Sequence, residues 1–203
     1  MVIKLGRWRR FVVAQIGTIV LLTILCLSLS VNVVLGRRIY GTAKPVSALG
    51  GIKLETLVED IPVIGIDGKS AVLSLVGDRP TLVYVFSPTC GWCKANYENI
   101  LALADRARSH YRIVGLSSNG SIEDLRKHIS KAPLPFEVFL VDSAKVGNRP
   151  FLVATPTTLL VATNSKISRA WIGAYNDDRG DEIEKVFSVR LPGLVTGATP
   201  GGL

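Results

Sequence analysis

The arrangement that most limits this chain is an apolar, β-rich run followed at once by two cysteines two residues apart. Thr81-Leu82-Val83-Tyr84-Val85-Phe86 leads through Ser87-Pro88-Thr89 into Cys90-Gly91-Trp92-Cys93. A helix-period stretch follows, with Tyr97, Ile100, Leu101, Ala104 and Ala107 expected on one face. Strand, Cys-x-x-Cys and helix together form the context in which such a pair does redox chemistry. The first cysteine then sits at the helix start, where unpaired backbone N–H groups and the positive end of the dipole favour an anion. Thiolate, the attacking species, is favoured over thiol there. The second cysteine, one turn further in, is close enough to close a disulfide and too buried to compete for substrate. Cys90 is therefore read as the nucleophile and Cys93 as the resolving thiol.

Other uses of the pair fit less well. A structural zinc site needs four ligands, and beyond the pair the chain offers only Cys26, His110 and His128, with no metal-type partner at short spacing. A purely structural disulfide would close so short a loop that it would constrain the unfolded chain little. Two inert core thiols would not need the Ser-Pro-Thr lead-in, which ends the strand and presents the helix start. No metal and no other cofactor is expected.

Charge is distributed unevenly over the 203 residues. Lys4, Arg7, Arg9, Arg10, Arg37, Arg38 and Lys44 precede Lys53, and no acidic residue does. Of 24 basic side chains this leaves 17, against all 16 acidic ones, so the body carries a net +1 out of the chain's +8. A nucleic-acid footprint would need a basic patch on the body, and no nucleic-acid partner is expected. The basic residues instead flank an apolar stretch from Phe11 to Leu35. At about 25 residues it is long enough to span a bilayer with some tilt. A cleavable signal has an apolar core of only about 7–15 residues, and no convincing cleavage site closes this one. The four basic residues before the span and three after it favour a cytoplasmic N-terminus (residues 1–10) and a body outside. Residues 36–57 read as a linker.

In the body, Ile61 to Ile66, a turn at Asp67-Gly68-Lys69 and Ala71 to Leu75 read as a hairpin. Tyr111 to Ser117 reads as a central parallel strand. Ser121-Ile122-Glu123-Asp124 resembles a capping box and opens a helix to about Lys131, which Pro133 and Pro135 end. Phe136 to Val141 is another strand. Thr157 to Val161 and Ile167 to Trp171 flank a turn at Asn164-Ser165 and should pair. Asp177 to Val189 is a last amphipathic helix, and the Gly- and Pro-rich tail, residues 191–203, reads as disordered. This order argues an α/β fold, a mixed central sheet flanked by helices.

The order resembles the thioredoxin fold, and more narrowly the membrane-anchored TlpA/ResA-like thiol-disulfide oxidoreductases. The likeness covers roughly residues 58–190. It is carried by Ile66-Asp67-Gly68-Lys69, Gly77-Asp78-Arg79-Pro80-Thr81, Phe86 to Cys93, and Ala154-Thr155-Pro156-Thr157-Thr158-Leu159-Leu160. The resemblance implies that Thr155-Pro156 is cis, that Pro156 faces the cysteine pair, and that the backbone at Thr155 pairs with an extended substrate. Trp92 could add a docking surface. The chain also departs from the pattern. Tyr84 stands about where thioredoxin carries a buried acid, and Asn96 where reducing cytochrome c maturation members often carry Glu. Glu98, at helical spacing, should face elsewhere, so the proton of Cys93 goes to water or to an acid further along.

The leading expectation is a membrane-tethered, extracytoplasmic oxidoreductase that reduces protein disulfides, as family members do in maturation of cytochrome c or another cofactor-bearing protein. Its partners would be protein disulfides or dithiols, a membrane electron-transfer protein, and the bilayer through residues 11–35. Alternatives are a disulfide-forming oxidant, a thiol peroxidase, and a non-enzymatic redox sensor or assembly scaffold. A peroxidase would carry Thr three residues before its reactive cysteine, where this chain has Ser87.

Overall fold

The computed structural model describes residues 23–28 and 51–194. The chain divides into two units, Met1–Val46 and Ser47–Leu203. In the first, residues 23–28 are helical and exposed. Among the described residues no helix is long and apolar enough to cross a membrane. The rest of the expected span at 11–35, the cytoplasmic N-terminus and most of the linker lie outside the described residues.

The second unit is built on one seven-stranded sheet. Its strands are β1 (Ile61–Gly65), β2 (Ser70–Leu73), β3 (Thr81–Phe86), β4 (Arg112–Ser117), β5 (Glu137–Val141), β6 (Thr157–Val161) and β7 (Ile167–Ile172). They lie in the order β2-β1-β5-β4-β3-β6-β7. The inner three, β5-β4-β3, run parallel, and the outer pairings are antiparallel. The mixed sheet expected from the sequence is therefore present. All six residues of β3 are buried, which is why this strand reads as an unbroken apolar run rather than an alternation. Successive side chains point to opposite faces. Leu82, Tyr84 and Phe86 enter one core, and Val83 and Val85 enter the other.

The first core is packed by helices: α1 (Gly91–Ala95), α2 (Tyr97–Ala107), α3 (Ile122–Lys131) and α4 (Asp177–Phe187). Cys93, Ile100, Leu103, Leu125, Ile183 and Phe187 are their buried contributions. The second core, around Ile61, Val63, Val114, Leu116 and Leu159, is closed by Ile52, Val58 and Phe151, the last on a 3₁₀ turn at Pro150–Leu152.

Three expectations need correction. The helix after the cysteines is broken at Asn96 (φ −87°, ψ 1°), and its buried stripe is Ile100, Leu103, Ala104 and Ala107 with Asn99. Leu101 is only half-buried, because an i, i+3, i+4, i+7 stripe that starts at Ile100 selects Leu103. The linker ends sooner than residue 57. Glu55 and Val58 donate backbone hydrogen bonds to Ile167 and Ser165, and Ile167 donates back to Thr56, so this segment caps the β7 edge. The domain also runs past residue 190. Leu191 N–H bonds Glu184 Oε1 at 2.7 Å and Gly193 N–H bonds Asn99 Oδ1 at 2.9 Å. The tail from 195 onward lies outside the described residues.

The two hairpins follow their turn chemistry. At Asp67-Gly68 the glycine takes φ +88°, and Asp67 Oδ1 accepts the Lys69 N–H at 3.0 Å. Between β6 and β7 Ser165 adopts φ 60°, where the sequence placed the turn. The capping box is also present. Ser121 Oγ accepts the Asp124 N–H at 3.1 Å, and Asp124 Oδ2 accepts the Ser121 N–H at 3.0 Å.

Candidate active site

The site forms where β3 ends. Ser87 leaves the sheet buried, and its Oγ accepts the Thr89 N–H at 3.3 Å. The Cys90 N–H donates to the Ser87 carbonyl at 3.1 Å, closing a turn that hands the chain to α1. Cys90 is the N-cap of that helix, with extended backbone angles (φ −76°, ψ 114°), and its Sγ accepts the Cys93 N–H at 3.1 Å. A sulfur in the N-cap position takes one of the helix's orphan donors. Cys90 and Cys93 are disulfide-paired, with Cα atoms 5.2 Å apart. Cys90 is half-buried and Cys93 only 6% exposed, so solvent reaches the first cysteine more than the second. A Cβ at Gly91 would meet open space, and Trp92 is 42% exposed, so the approach to Cys90 is open and partly apolar.

Thr155-Pro156, the cis bond of the described chain, enters from the start of β6. The Thr155 carbonyl oxygen lies 3.4 Å from Cys90 Sγ. In the disulfide the sulfur has no proton to donate, so this is a contact. A Cys90 thiol can donate to that oxygen, whereas a thiolate meets a second negative partial charge. Pro156 is buried, and its own carbonyl accepts the Gly173 N–H at 2.7 Å, which fixes this loop to the end of β7. The structure thus brings Cys90, Cys93 and Thr155 together and leaves Trp92 on the surface beside them.

Beneath the cysteines is a buried polar cluster that the sequence reading found only in part. Asn96 and Asn99 are fully buried and Tyr84 nearly so. Asn96 Oδ1 accepts the Tyr175 N–H at 2.9 Å and the Asn99 amide at 3.1 Å. The Tyr175 and Thr158 hydroxyls are 2.6 Å apart. Burial pushes the phenols of both Tyr84 and Tyr175 up, so both stay protonated. Asn99 was hidden as a polar residue inside an apolar helical stripe, and Tyr175 as a loop residue far along the chain. Glu98 is exposed, and no Asp or Glu is buried among the described residues. On the far side of Phe86, the His128 ring sits 5.5 Å from the Phe86 ring, and partial burial moves its pKa down. Among the described residues no cluster of three His, Cys, Asp or Glu side chains could hold a metal ion.

No protein-family model matches the chain, and no curated protein sequence matches it. Solved structures do. The thioredoxin domain of a thiol-disulfide oxidoreductase from Bacteroides vulgatus is 21% identical, with 68% of this chain and 99% of that one covered and a TM-score of 0.56. A thiol:disulfide interchange protein from Bacteroides sp. is 20% identical over 68% of this chain and 91% of its own, with a TM-score of 0.54. StoA from Bacillus subtilis is 16% identical over 64% of this chain and 99% of its own, with a TM-score of 0.50. At these identities the likeness is one of architecture, and it shows that the second unit has a thioredoxin-like fold.

Proposed function

We propose that the chain is a thiol-disulfide oxidoreductase tethered to the membrane by residues 11–35, with its folded domain outside the cytosol. The carrying observation is the Cys90–Cys93 disulfide at a helix start, its outer sulfur half-buried against the Thr155 carbonyl. Cys90 attacks a substrate disulfide, a mixed disulfide forms, and Cys93 resolves it. Trp92, Thr155 and Pro156 line the approach that an extended protein substrate would take. The solved structures named as thiol-disulfide oxidoreductases and interchange proteins support this class of reaction.

The direction we propose is reduction, with electrons from a membrane electron-transfer protein and use in maturation of cytochrome c or another cofactor-bearing protein. That choice follows the family resemblance. The peroxidase alternative is disfavoured by Ser87, whose hydroxyl is turned to Thr89, 3.1 Å from the Thr89 Oγ1. Thiol trapping in cells tests the direction: a largely reduced pair is expected, and a largely oxidised one makes the protein an oxidant. Turnover of insulin disulfides with dithiothreitol tests the class. No turnover would leave a redox sensor or scaffold, and peroxide consumption would point to a peroxidase.

A further inference from the structure

We propose that Arg179 is a positioning residue for the substrate-pairing backbone at Thr155, acting on it through the loop 173–176. The proposal rests on the oxidoreductase reading above, in which an extended substrate pairs at Thr155, and adds what holds that backbone in place.

Thr155 stands outside the sheet. The ladders from β6 to β3 and to β7 begin at Thr157, so strand pairing does not fix the two residues before it. Hydrogen bonds do. Thr157 Oγ1 donates to the Ala154 carbonyl at 2.8 Å, across the cis bond. The Gly173 N–H donates to the Pro156 carbonyl at 2.7 Å. The first bond closes the loop on itself, and the second ties it to the end of β7. Where Thr155 sits therefore depends on where Gly173 sits.

Gly173 has left the strand, with φ +101°, and α4 does not start until Asp177. Arg179, on the first turn of α4, grips the stretch between. Its Nη1 donates to the Ala174 carbonyl at 2.6 Å and to Asn176 Oδ1 at 2.8 Å. The guanidinium also lies against Gly173: a Cβ there would be 3.0 Å from Nη1 and 3.2 Å from Cζ. That close approach and the positive φ both require glycine at this position. One side chain thus touches Gly173, Ala174 and Asn176, and the residue among them that it misses, Tyr175, is held by its N–H on Asn96 Oδ1.

The start of α4 serves this grip rather than its own capping. Asn176 is the N-cap, and an N-cap Asn ordinarily accepts a backbone N–H of the first turn with its side-chain oxygen. Here it makes no such bond, and the oxygen takes the Arg179 side chain instead. Asp177 follows at φ +47°, a left-handed conformation that is costly for a residue other than glycine. Among the described residues no carboxylate forms an ion pair with Arg179, so a surface salt bridge is not what orients it. Its charge strengthens both bonds to the loop.

Held in this way, the Thr155 backbone meets an extended substrate without first having to be ordered. Without the guanidinium the loop 173–176 loosens and the Gly173–Pro156 bond opens more often. Only molecules with Thr155 in place then bind substrate, and apparent affinity falls by that fraction. Attack by Cys90 on bound substrate is unchanged. A small disulfide with no backbone to pair does not sense the loss.

The test uses the full chain in detergent micelles, in a Cys26→Ser background, with Arg179→Met, which keeps the stem and removes the donors. Turnover of insulin disulfides with dithiothreitol should show KM raised about tenfold and kcat within about twofold of wild type. The second-order rate with dithionitrobenzoate should be unchanged. In amide hydrogen exchange Gly173 should exchange about tenfold faster, while Val83 and Leu116 in the second core keep their rates. A variant that speeds all three amides and slows both reactions together is only destabilised, which overturns the positioning role. Unchanged exchange at Gly173 overturns it too, and so does faster exchange with an unchanged KM for insulin. A wild type that reacts with neither insulin nor dithionitrobenzoate sinks the oxidoreductase reading instead, and the exchange rates still decide whether Arg179 holds the loop. Should Arg179→Met fail to fold, Asn176→Ala removes one acceptor and is read by the same measurements. KM for insulin and Gly173 exchange should then rise together by about threefold, and no rise in either overturns the role.

Discussion

The Sγ of Cys90 lies 3.4 Å from the carbonyl oxygen of Thr155, across 65 residues of chain. The sheet makes this meeting. β3 and β6 are antiparallel neighbours with Val85 opposite Thr157, so the end of one strand and the start of the other share an edge. Two groups then act on one sulfur in opposite senses. The Cys93 N–H at 3.1 Å favours the thiolate, and the Thr155 oxygen favours the thiol.

The first prediction concerns the asymmetry of the two cysteines. Cys93→Ala keeps the reachable sulfur and loses the resolving one, so it should accumulate mixed disulfides with substrate proteins. Cys90→Ala should trap little, because Cys93 is only 6% exposed. Non-reducing gels of both variants read the outcome, and trapping by Cys90→Ala would reverse the roles.

Ser121→Ala should destabilise the domain by about 1 kcal/mol, the usual loss when an N-cap hydroxyl is removed. It deletes the acceptor for the Asp124 N–H and breaks the reciprocal box at the start of α3. Thiol exchange should be unaffected. Urea unfolding of both proteins gives the difference, and equal midpoints would mean the cap contributes nothing.

His128 should make stability fall on mild acidification. Partial burial holds its folded-state pKa below the ordinary value of about 6.5. Above that value both folded and unfolded chains carry neutral imidazole, and the group has no effect. Below it the unfolded chain takes up the proton first, so the folded state loses ground as pH drops. Asp124 works in the same direction at lower pH, since the Ser121 hydrogen bonds hold its carboxyl below the usual range. Melting temperatures between pH 7.5 and 5 should therefore fall faster for the wild type than for His128→Gln. Parallel curves would remove His128 from the account.

How much of this could be read in advance depended on how far apart the participants lie in the chain. β3 was legible because an unbroken apolar run before a Cys-x-x-Cys admits few readings. The box at Ser121 and the turn at Asp67-Gly68 were legible because they close within four residues. The break at Asn96 was not, because it shows only when the stripe behind it is known to start at Ile100 rather than Tyr97. The closure of the second core by residues 52–58 depends on hydrogen bonds to the β7 edge more than a hundred residues away in the chain. The polar cluster joins Tyr84, Asn96 and Tyr175 from a strand, a helix junction and a loop. No local spacing relates them, and only Tyr84 and Asn96 stood out, as departures from a family pattern.

The orientation of the N-terminal segment is a separate prediction. Four basic residues precede the apolar run 11–35 and three follow it, and the positive-inside bias then predicts a body outside the cytosol. A C-terminal reporter that matures only outside the cytosol should be active. An inactive one, with an active cytosolic reporter at the same position, would reverse the orientation and remove the oxidising setting on which the proposed role depends.

The last prediction is the acidity of Cys90. A cysteine at the N-cap of a helix, with its sulfur on an orphan N–H, should have a pKa below the free value of about 8.5, in the range of roughly 3.5–7.5 for such positions. Opposing this is the Thr155 carbonyl, which a thiolate meets as a negative partial charge. The N–H is the nearer group, at 3.1 Å against 3.4 Å, and the rest of the helix start adds to it, so the net shift should be downward. Iodoacetamide alkylation of the reduced protein against pH reads this directly. Cys90 should be modified first, with a midpoint below that of free cysteine. If both thiols react at equal rates with midpoints near the free value, the helix start does not activate Cys90.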